Sequence, residues 1–310
     1  ILFRKLIRTS RIIRITIKMK ITVDARGLLE SHNSGISEYT LNILKEWAKI
    51  FGPSRHVTLF SSGSKAAPLT SLSFPVIHKR WPNKLLNLAQ FTGLKPLDRL
   101  TQTSAYWLPN LNFFQTRKPY AVTVHDLSFE IYPEFFSPKM RLWHKTLKLR
   151  QLISQASQVI AVSQNTKDDL INLYQIKPEK ISVIHSGVSE EFFRPVSQEY
   201  LKILNHKYNL PEKFILFLGT VEPRKNLEGL IEAFELFKRR AGPRMAGVQL
   251  VIAGRLGWLY QSVLKTAQPL NSHIKFINYV PAEDRAGIYQ LASLFVYPSF
   301  YEGFGFPPLE

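Results

Sequence analysis

The chain has no cysteine, which excludes disulfides and thiolate metal sites and fits a reducing compartment. It has no apolar run of about 18 residues, so no segment reads as a membrane-spanning helix. Short-period repeats and low-complexity tracts are missing too. No P-loop, His-Glu-x-x-His or Gly-x-Ser-x-Gly pattern occurs, which removes the usual signatures of nucleotide-triphosphate hydrolysis, zinc proteolysis and serine hydrolysis. Acids are scarce. Against 41 Lys and Arg stand 23 Asp and Glu, a net charge of +18 that implies an acidic partner. Six of the cations (Arg4, Lys5, Arg8, Arg11, Arg14, Lys18) fall in residues 1–18 without any acid, leaving +12 (18 − 6) on the remainder. That segment has two readings: a basic amphipathic helix at a membrane surface, with Leu2, Phe3, Leu6 and Ile13 opposite the cations, or sequence upstream of a true start at Met19.

What is present is enough apolar material, 45% of 310 residues, for two cores. Strand-like and helix-like stretches alternate. Strands are expected at 20–24, 56–60, 120–124, 158–162 and 181–184, then at 214–218, 249–253, 273–276 and 294–297. Several are apolar without alternation, the mark of parallel strands covered on both faces. The stretch 191–210, with Pro195 and few apolar runs, reads as a join, the linker proper being 196–210. The chain therefore divides into a basic extension at 1–19, a first domain at 20–195 and a second at 211–310. Both are expected to be α/β, Rossmann-like and doubly wound, facing each other across a cleft.

Chemistry is sought where strands empty into loops. Gly219-Thr220-Val221-Glu222-Pro223-Arg224-Lys225-Asn226 joins a strand to a helix start, where free amides and the cations of Arg224 and Lys225 suit a diphosphate; a solvated basic turn is the plainer alternative. Arg26-Gly27 and the loop Asn33-Ser34-Gly35-Ile36 form a weaker counterpart in the first domain, equally readable as an ordinary N-cap. His125 and Asp126 leave the end of a strand, where the histidine can meet a sugar hydroxyl, a phosphate or a proton, and Asp126 can simply serve a turn. The last nine residues, Glu302-Gly303-Phe304-Gly305-Phe306-Pro307-Pro308-Leu309-Glu310, set two carboxylates around a stiffened Gly/Pro turn, a pattern suited to gripping polyol hydroxyls. Asp168-Asp169 looks like a metal pair but reads better as acids complementing the first turn of a helix, and no metal site is expected. The basic, aromatic stretch Lys139–Arg150 suits anionic lipid headgroups or a pyrophosphate-linked acceptor, or is only a solvated face.

Taken in order, these pieces resemble the retaining family-4 glycosyltransferases of GT-B fold. The matching residues are Ser34-Gly35-Ile36, His125-Asp126, Val159–Ser163, His185-Ser186-Gly187-Val188, the 219–226 octet and the terminal Glu-x7-Glu. The resemblance runs from about residue 20 to the end. It implies that Arg224 and Lys225 hold the donor diphosphate beside Gly219, with Gly35 approaching from the first domain. Glu310 would accept from the ribose hydroxyls and Glu302 would lie against the sugar. The amides from Gly303 through Phe304, Gly305 and Phe306 would bind its hydroxyls, and His125 would contact the sugar or its phosphate. It further implies transfer with retention and no metal or other cofactor. The stretches Val124–Leu127, Tyr132–Phe136 and Phe306-Pro307-Pro308 look most like mannosyltransferases using GDP-mannose.

The expected partners are a nucleotide sugar, a glycan or polyprenyl-linked acceptor and an anionic membrane, at the cytoplasmic face of the cell membrane. In relatives the pattern continues past the second glutamate, so a fragment of a longer protein is expected. The first loop also departs, reading Ser37-Glu38-Tyr39 where many relatives carry a glycine and a basic residue. A sugar-nucleotide epimerase or phosphorylase on the same architecture is the rival enzyme class. Nucleic acid is not an expected partner, because no aromatic-basic interleaving on a sheet face accompanies the charge.

Overall fold

Ile21–Asp24 and Phe214–Leu218 are runs in which consecutive side chains are enclosed on both faces, as strands inside a parallel sheet require. The computed structural model describes residues 19–29, 35–52, 56–63, 72–94 and 96–310, and places each run within its own all-parallel sheet. The first sheet contains β1 (Ile21–Asp24), β2 (Val57–Ser62), β3 (Val76–Lys79), β4 (Ala105–Leu108), β5 (Tyr120–Val124), β6 (Gln158–Ala161) and β7 (Ile181–Val183), ordered β3-β2-β1-β4-β5-β6-β7. The second contains β8 (Phe214–Leu218), β9 (Gln249–Ala253), β10 (Ile274–Asn278) and β11 (Leu294–Phe295), ordered β10-β9-β8-β11. In both, the order reverses after the first strand, between β1 and β4 and between β8 and β11. Such a reversal opens a crevice at the carboxyl ends of those strands.

The sheets are held by the alternation of their own side chains. From β8, Phe214, Leu216 and Leu218 enter a core with Val251, Ala253, Ile277 and Ile288. Phe217 enters the opposite one, with Leu250, Ile252 and the face Leu227, Leu230, Ile231, Phe234 of the helix Leu227–Arg240. Each fully buried Phe or Leu contributes about 1.5–3 kcal/mol of transfer free energy. In the first sheet Val23, Val57, Leu59 and Trp107 pack against Tyr39 and Leu44 of the helix Gly35–Phe51. β3 and β4 were not foreseen in the sequence: β3 is half-exposed and β4 is stopped by Pro109, both too short to show a period.

The chain forms two compact units, and their bounds differ from the expected ones. The first takes the described residues up to Leu127 and Leu142–Ser186, the second Ser128–Arg141 and Gly187–Glu310. Ser128–Arg141 joins the second because its aromatics pack there: Trp258 Nε1 donates to the Phe135 carbonyl at 2.6 Å, Phe136 stacks on Trp258 and Phe135 on Phe300. The segment 196–210, expected as a linker, carries the helix Gln198–Tyr208, capped by Ser197. It buries Leu204 against Gly287 so closely that a Cβ on that glycine would meet Leu204 Cδ1 at 2.3 Å. Asp284, fully buried, then accepts from Tyr200 (2.6 Å), Lys207 (2.6 Å) and Tyr208 (2.5 Å), riveting this helix to Ala282–Leu291.

Two smaller expectations also change. Asp168 and Asp169 sit one turn inside the helix Gln164–Tyr174, whose N-cap is Ser163, and Asp168 accepts from Gln164 at 2.7 Å. Lys139–Arg150 is two helices, Pro138–Thr146 and Leu149–Gln155, broken where Lys148 turns left-handed at φ 49°. Residues 1–18 of the basic extension and the loop residues Asn33 and Ser34 lie outside the described residues. Among the described residues no helix is long and apolar enough to cross a membrane.

Candidate functional site

The crevice between β8 and β11 is built by three loops. After β8, Gly219 donates to Ala253 and Val221 to Arg255, which keeps the chain extended past the sheet edge. Gly254, at φ 148°, is the close approach that permits this: a Cβ there would lie 1.8 Å from the Gly219 carbonyl oxygen. The chain then tightens into a single turn, Pro223–Lys225, and Asn226 in the left-handed region (φ 54°) turns it into the helix Leu227–Arg240. This turn aims Arg224 and Lys225 at the loop leaving β11. The backbone closes the contact, with Phe300 N–H donating to the Arg224 carbonyl at 3.0 Å.

Four charges meet there. Arg224 donates through Nε (3.2 Å) and Nη2 (2.8 Å) to Glu222 Oε1, and through Nη1 to Glu302 Oε2 (2.9 Å) and the Tyr301 carbonyl (3.0 Å). Lys225 Nζ donates to Glu302 Oε1 (2.6 Å) and Tyr297 Oη (2.7 Å), and lies 4.9 Å from the centre of the Tyr297 ring. Glu302 thus bridges the two cations with its two oxygens. Burial opposes its ionisation, but Lys225 and Arg224 outweigh burial and hold its carboxyl below the ordinary range. For Glu222 the balance is reversed, and burial pushes the carboxyl up despite Arg224 and Lys225. Burial, with Arg224 adjacent, lowers Lys225.

The sequence singled out Arg224, Lys225 and Glu302, and the structure brings them into direct contact beside Gly219, whose added Cβ would lie 4.0 Å from Lys225 Cε. Glu222 and Tyr297 were missed as site residues. Glu222 lay inside the quoted octet, and Tyr297 follows a strand end, so position alone could have raised both. Gly303 is buried, Gly305 has φ 86°, and the Phe304 and Phe306 rings meet edge to face at 5.1 Å. Glu310 is engaged by Tyr289, whose hydroxyl donates to Oε2 at 2.9 Å.

In the first unit a buried ion pair, Asp24–Arg26, stands at the carboxyl end of β1. Arg26, which the sequence placed beside Gly27 in a loop suited to phosphate, donates to both oxygens of Asp24 (2.8 and 2.6 Å), to Asn87 (3.2 Å) and to the Phe113 carbonyl (3.0 Å). Gly35 opens its helix with nothing within 4 Å of an added Cβ. His125 leaves β5 with Nε2 2.9 Å from the Pro109 carbonyl, edge-on to Tyr39 at 4.8 Å. A carbonyl only accepts, so Nε2 carries the proton and Nδ1 the lone pair. Burial pushes this imidazole below its ordinary range against the opposing effects of Pro109 and Asp126. Among the described residues no three His, Asp or Glu side chains converge as a metal site would need.

Known proteins resemble this chain in sequence and in fold. The chain is 32% identical over 210 residues to the O-antigen chain mannosyltransferase B of Escherichia coli, covering 66% of this chain and 53% of that protein. It is 35% identical over 161 residues to the serotype-specific mannosyltransferase WbdA of Escherichia coli, 50% of this chain and 19% of that one. The chain thus spans about half the length of the first relative and a fifth of the second. Two solved structures share the fold: WaaG, a glycosyltransferase involved in lipopolysaccharide biosynthesis (TM-score 0.66, 14% identity, 93% of this chain and 77% of that one), and Anabaena HepE with UDP-glucose (0.65, 18%, 93% and 76%). The profile of glycosyl transferases group 1 matches residues 202–310, the whole β8–β11 crevice. That of glycosyltransferase family 4 matches 34–192, just over half the chain. Since the family model matches more than half of its residues and the solved neighbours share its fold, this chain belongs to glycosyltransferase family 4 and has its two-domain GT-B fold.

Proposed function

We propose that the protein transfers a hexose, with retention, from a nucleotide sugar to a glycan or polyprenyl-linked acceptor in surface-polysaccharide synthesis, and that the donor is GDP-mannose. The observation that carries the reading is the convergence of Arg224, Lys225 and Glu302 at the strand reversal of the second sheet. Breaking a sugar–diphosphate bond develops negative charge on the leaving oxygens, and fixed cations in a water-poor site stabilise it. Arg224 and Lys225 supply those cations, and the leaving phosphate can take the acceptor's proton, so no metal is invoked. The Gly303–Phe306 turn offers amides to the sugar and Glu310 a carboxylate to the ribose. His125, neutral with a lone pair on Nδ1, suits a sugar hydroxyl. The mannosyltransferase relatives support mannose.

Work at an anionic membrane surface, on the cytoplasmic side, is part of the reading. The helix Asn83–Phe91 buries Leu86 on one side and exposes Leu85, Leu88 and Phe91 around Lys84 on the other. Phe113 links Phe91 to the exposed Trp143, and Lys148 lies 5.4 Å from the centre of the Phe91 ring. An apolar patch rimmed by cations fits anionic headgroups.

The decisive test incubates the full-length protein with GDP-, UDP-, ADP- and dTDP-sugars and a lipid-linked acceptor, with products separated and linkages assigned. A new α-linked mannose from GDP-mannose is expected. An isomerised donor or a free sugar phosphate would instead place the protein in a different enzyme class. Sedimentation with phosphatidylglycerol vesicles should weaken for Leu85→Ser with Leu88→Ser; equal binding to neutral vesicles would remove the membrane part.

A further inference from the structure

The two cations assigned to the diphosphate are already neutralised, since the formal charges of Glu222, Arg224, Lys225 and Glu302 cancel. The two carboxylates are not alike. Glu222 is 4% exposed, lies two residues from Arg224 and belongs to the same turn, its carbonyl accepting from Lys225 N at 3.1 Å. Glu302 is 20% exposed and reaches the cations from another loop. Arg224 divides its donors by the same rule, Nε and Nη2 to Glu222, Nη1 towards Glu302.

We infer that Glu302 is the displaceable counter-anion of the diphosphate site and Glu222 its fixed positioning residue. This rests on the donor reading above. A carboxylate that bridges Arg224 Nη1 and Lys225 Nζ with its two oxygens performs the task of two phosphate oxygens. Here it holds two like charges together. An entering diphosphate takes both donors, and Glu302 turns out towards the solvent that already reaches it. Glu222 keeps the guanidinium aimed, while the Tyr297 hydroxyl and ring keep Lys225 in place. The carboxylate so released is free for a hydroxyl of the attached sugar, which couples arrival of the diphosphate to grip on the hexose.

The test is calorimetric titration of inorganic pyrophosphate, then GDP, into the wild type, Glu302→Gln, Glu302→Asp and Glu222→Gln at low and moderate salt. Glu302→Gln should bind pyrophosphate about tenfold more tightly, a gain of about 1.4 kcal/mol, with a steeper salt dependence. Glu222→Gln should bind more weakly. Glu302→Asp keeps the charge but is one methylene short of bridging, and should fall between wild type and Glu302→Gln; it carries the test if Glu302→Gln fails to fold. Binding by Glu302→Gln or Glu302→Asp no tighter than wild type overturns the inference, provided Arg224→Ala still abolishes wild-type affinity. If Arg224→Ala changes nothing, the donor reading fails and this inference with it.

Discussion

Arg26 and Arg224 occupy corresponding places, each in the turn after the first strand of a parallel sheet whose order reverses there, and each pairs with the acid two residues before it. Their fates differ. Arg26 is 2% exposed and donates to Asp24, Asn87 and the Phe113 carbonyl. Arg224 is 14% exposed, and one of its partners is a carboxylate that solvent reaches. An arginine enclosed together with its paired carboxylate is a staple. One that shares its fork with an accessible carboxylate can trade that partner for a ligand, because the exchange leaves no buried charge unpaired.

The comparison breaks first at Arg26. Arg26→Ala strands the Asp24 carboxylate and should cost about 3–5 kcal/mol in chemical denaturation, most of it recovered in Asp24→Leu/Arg26→Met. A loss under about 1 kcal/mol would show that the pair is no staple. Arg224→Ala should lower kcat/KM for the nucleotide sugar by about 10²–10³, equivalent to about 3–4 kcal/mol at the transition state, while its melting temperature falls less than that of Arg26→Ala. The reverse ranking of the two melts would erase the distinction between them.

Glycines sharpen the contrast at smaller cost. Gly254→Ala must move the Gly219 carbonyl and adopt a conformation that L-residues avoid, so a loss of about 1–3 kcal/mol is expected together with weaker donor binding. Gly35→Ala meets open space and should leave the melting curve unchanged. The smallest effect is in pH. His125 is lowered by burial, so the unfolded chain takes up a proton first, and stability should fall as the pH drops through about 6.5. His125→Gln should flatten that limb of the stability profile. Glu302 acts further down: its stabilisation is complete above the unfolded carboxyl value and is lost as the pH falls through its depressed folded one.

Much of the second unit was legible. Phe214–Leu218 and Gln249–Ala253 stand at their expected bounds because fully buried parallel strands are unbroken apolar runs. Glu302 and Arg224 were visible because they follow such runs. The helix Gln198–Tyr208 was hidden, since its one fully buried side chain, Leu204, leaves little apolar signal, and it is held instead by Asp284, 77 residues from Lys207. The placing of Ser128–Arg141 was hidden for the same reason, its partners Trp258 and Phe300 lying far along the chain.

The sequence by itself determined that this is an α/β chain of two parallel sheets and where its strands release polar residues, because burial on both faces and glycine-bearing turns are local demands. Only the tertiary structure decided which arginine is a staple and which is part of a site. Asp24-Ala25-Arg26 and Glu222-Pro223-Arg224 are nearly the same tripeptide, and what separates them is a third partner brought from far along the chain: the Phe113 carbonyl for one, the Glu302 carboxylate for the other.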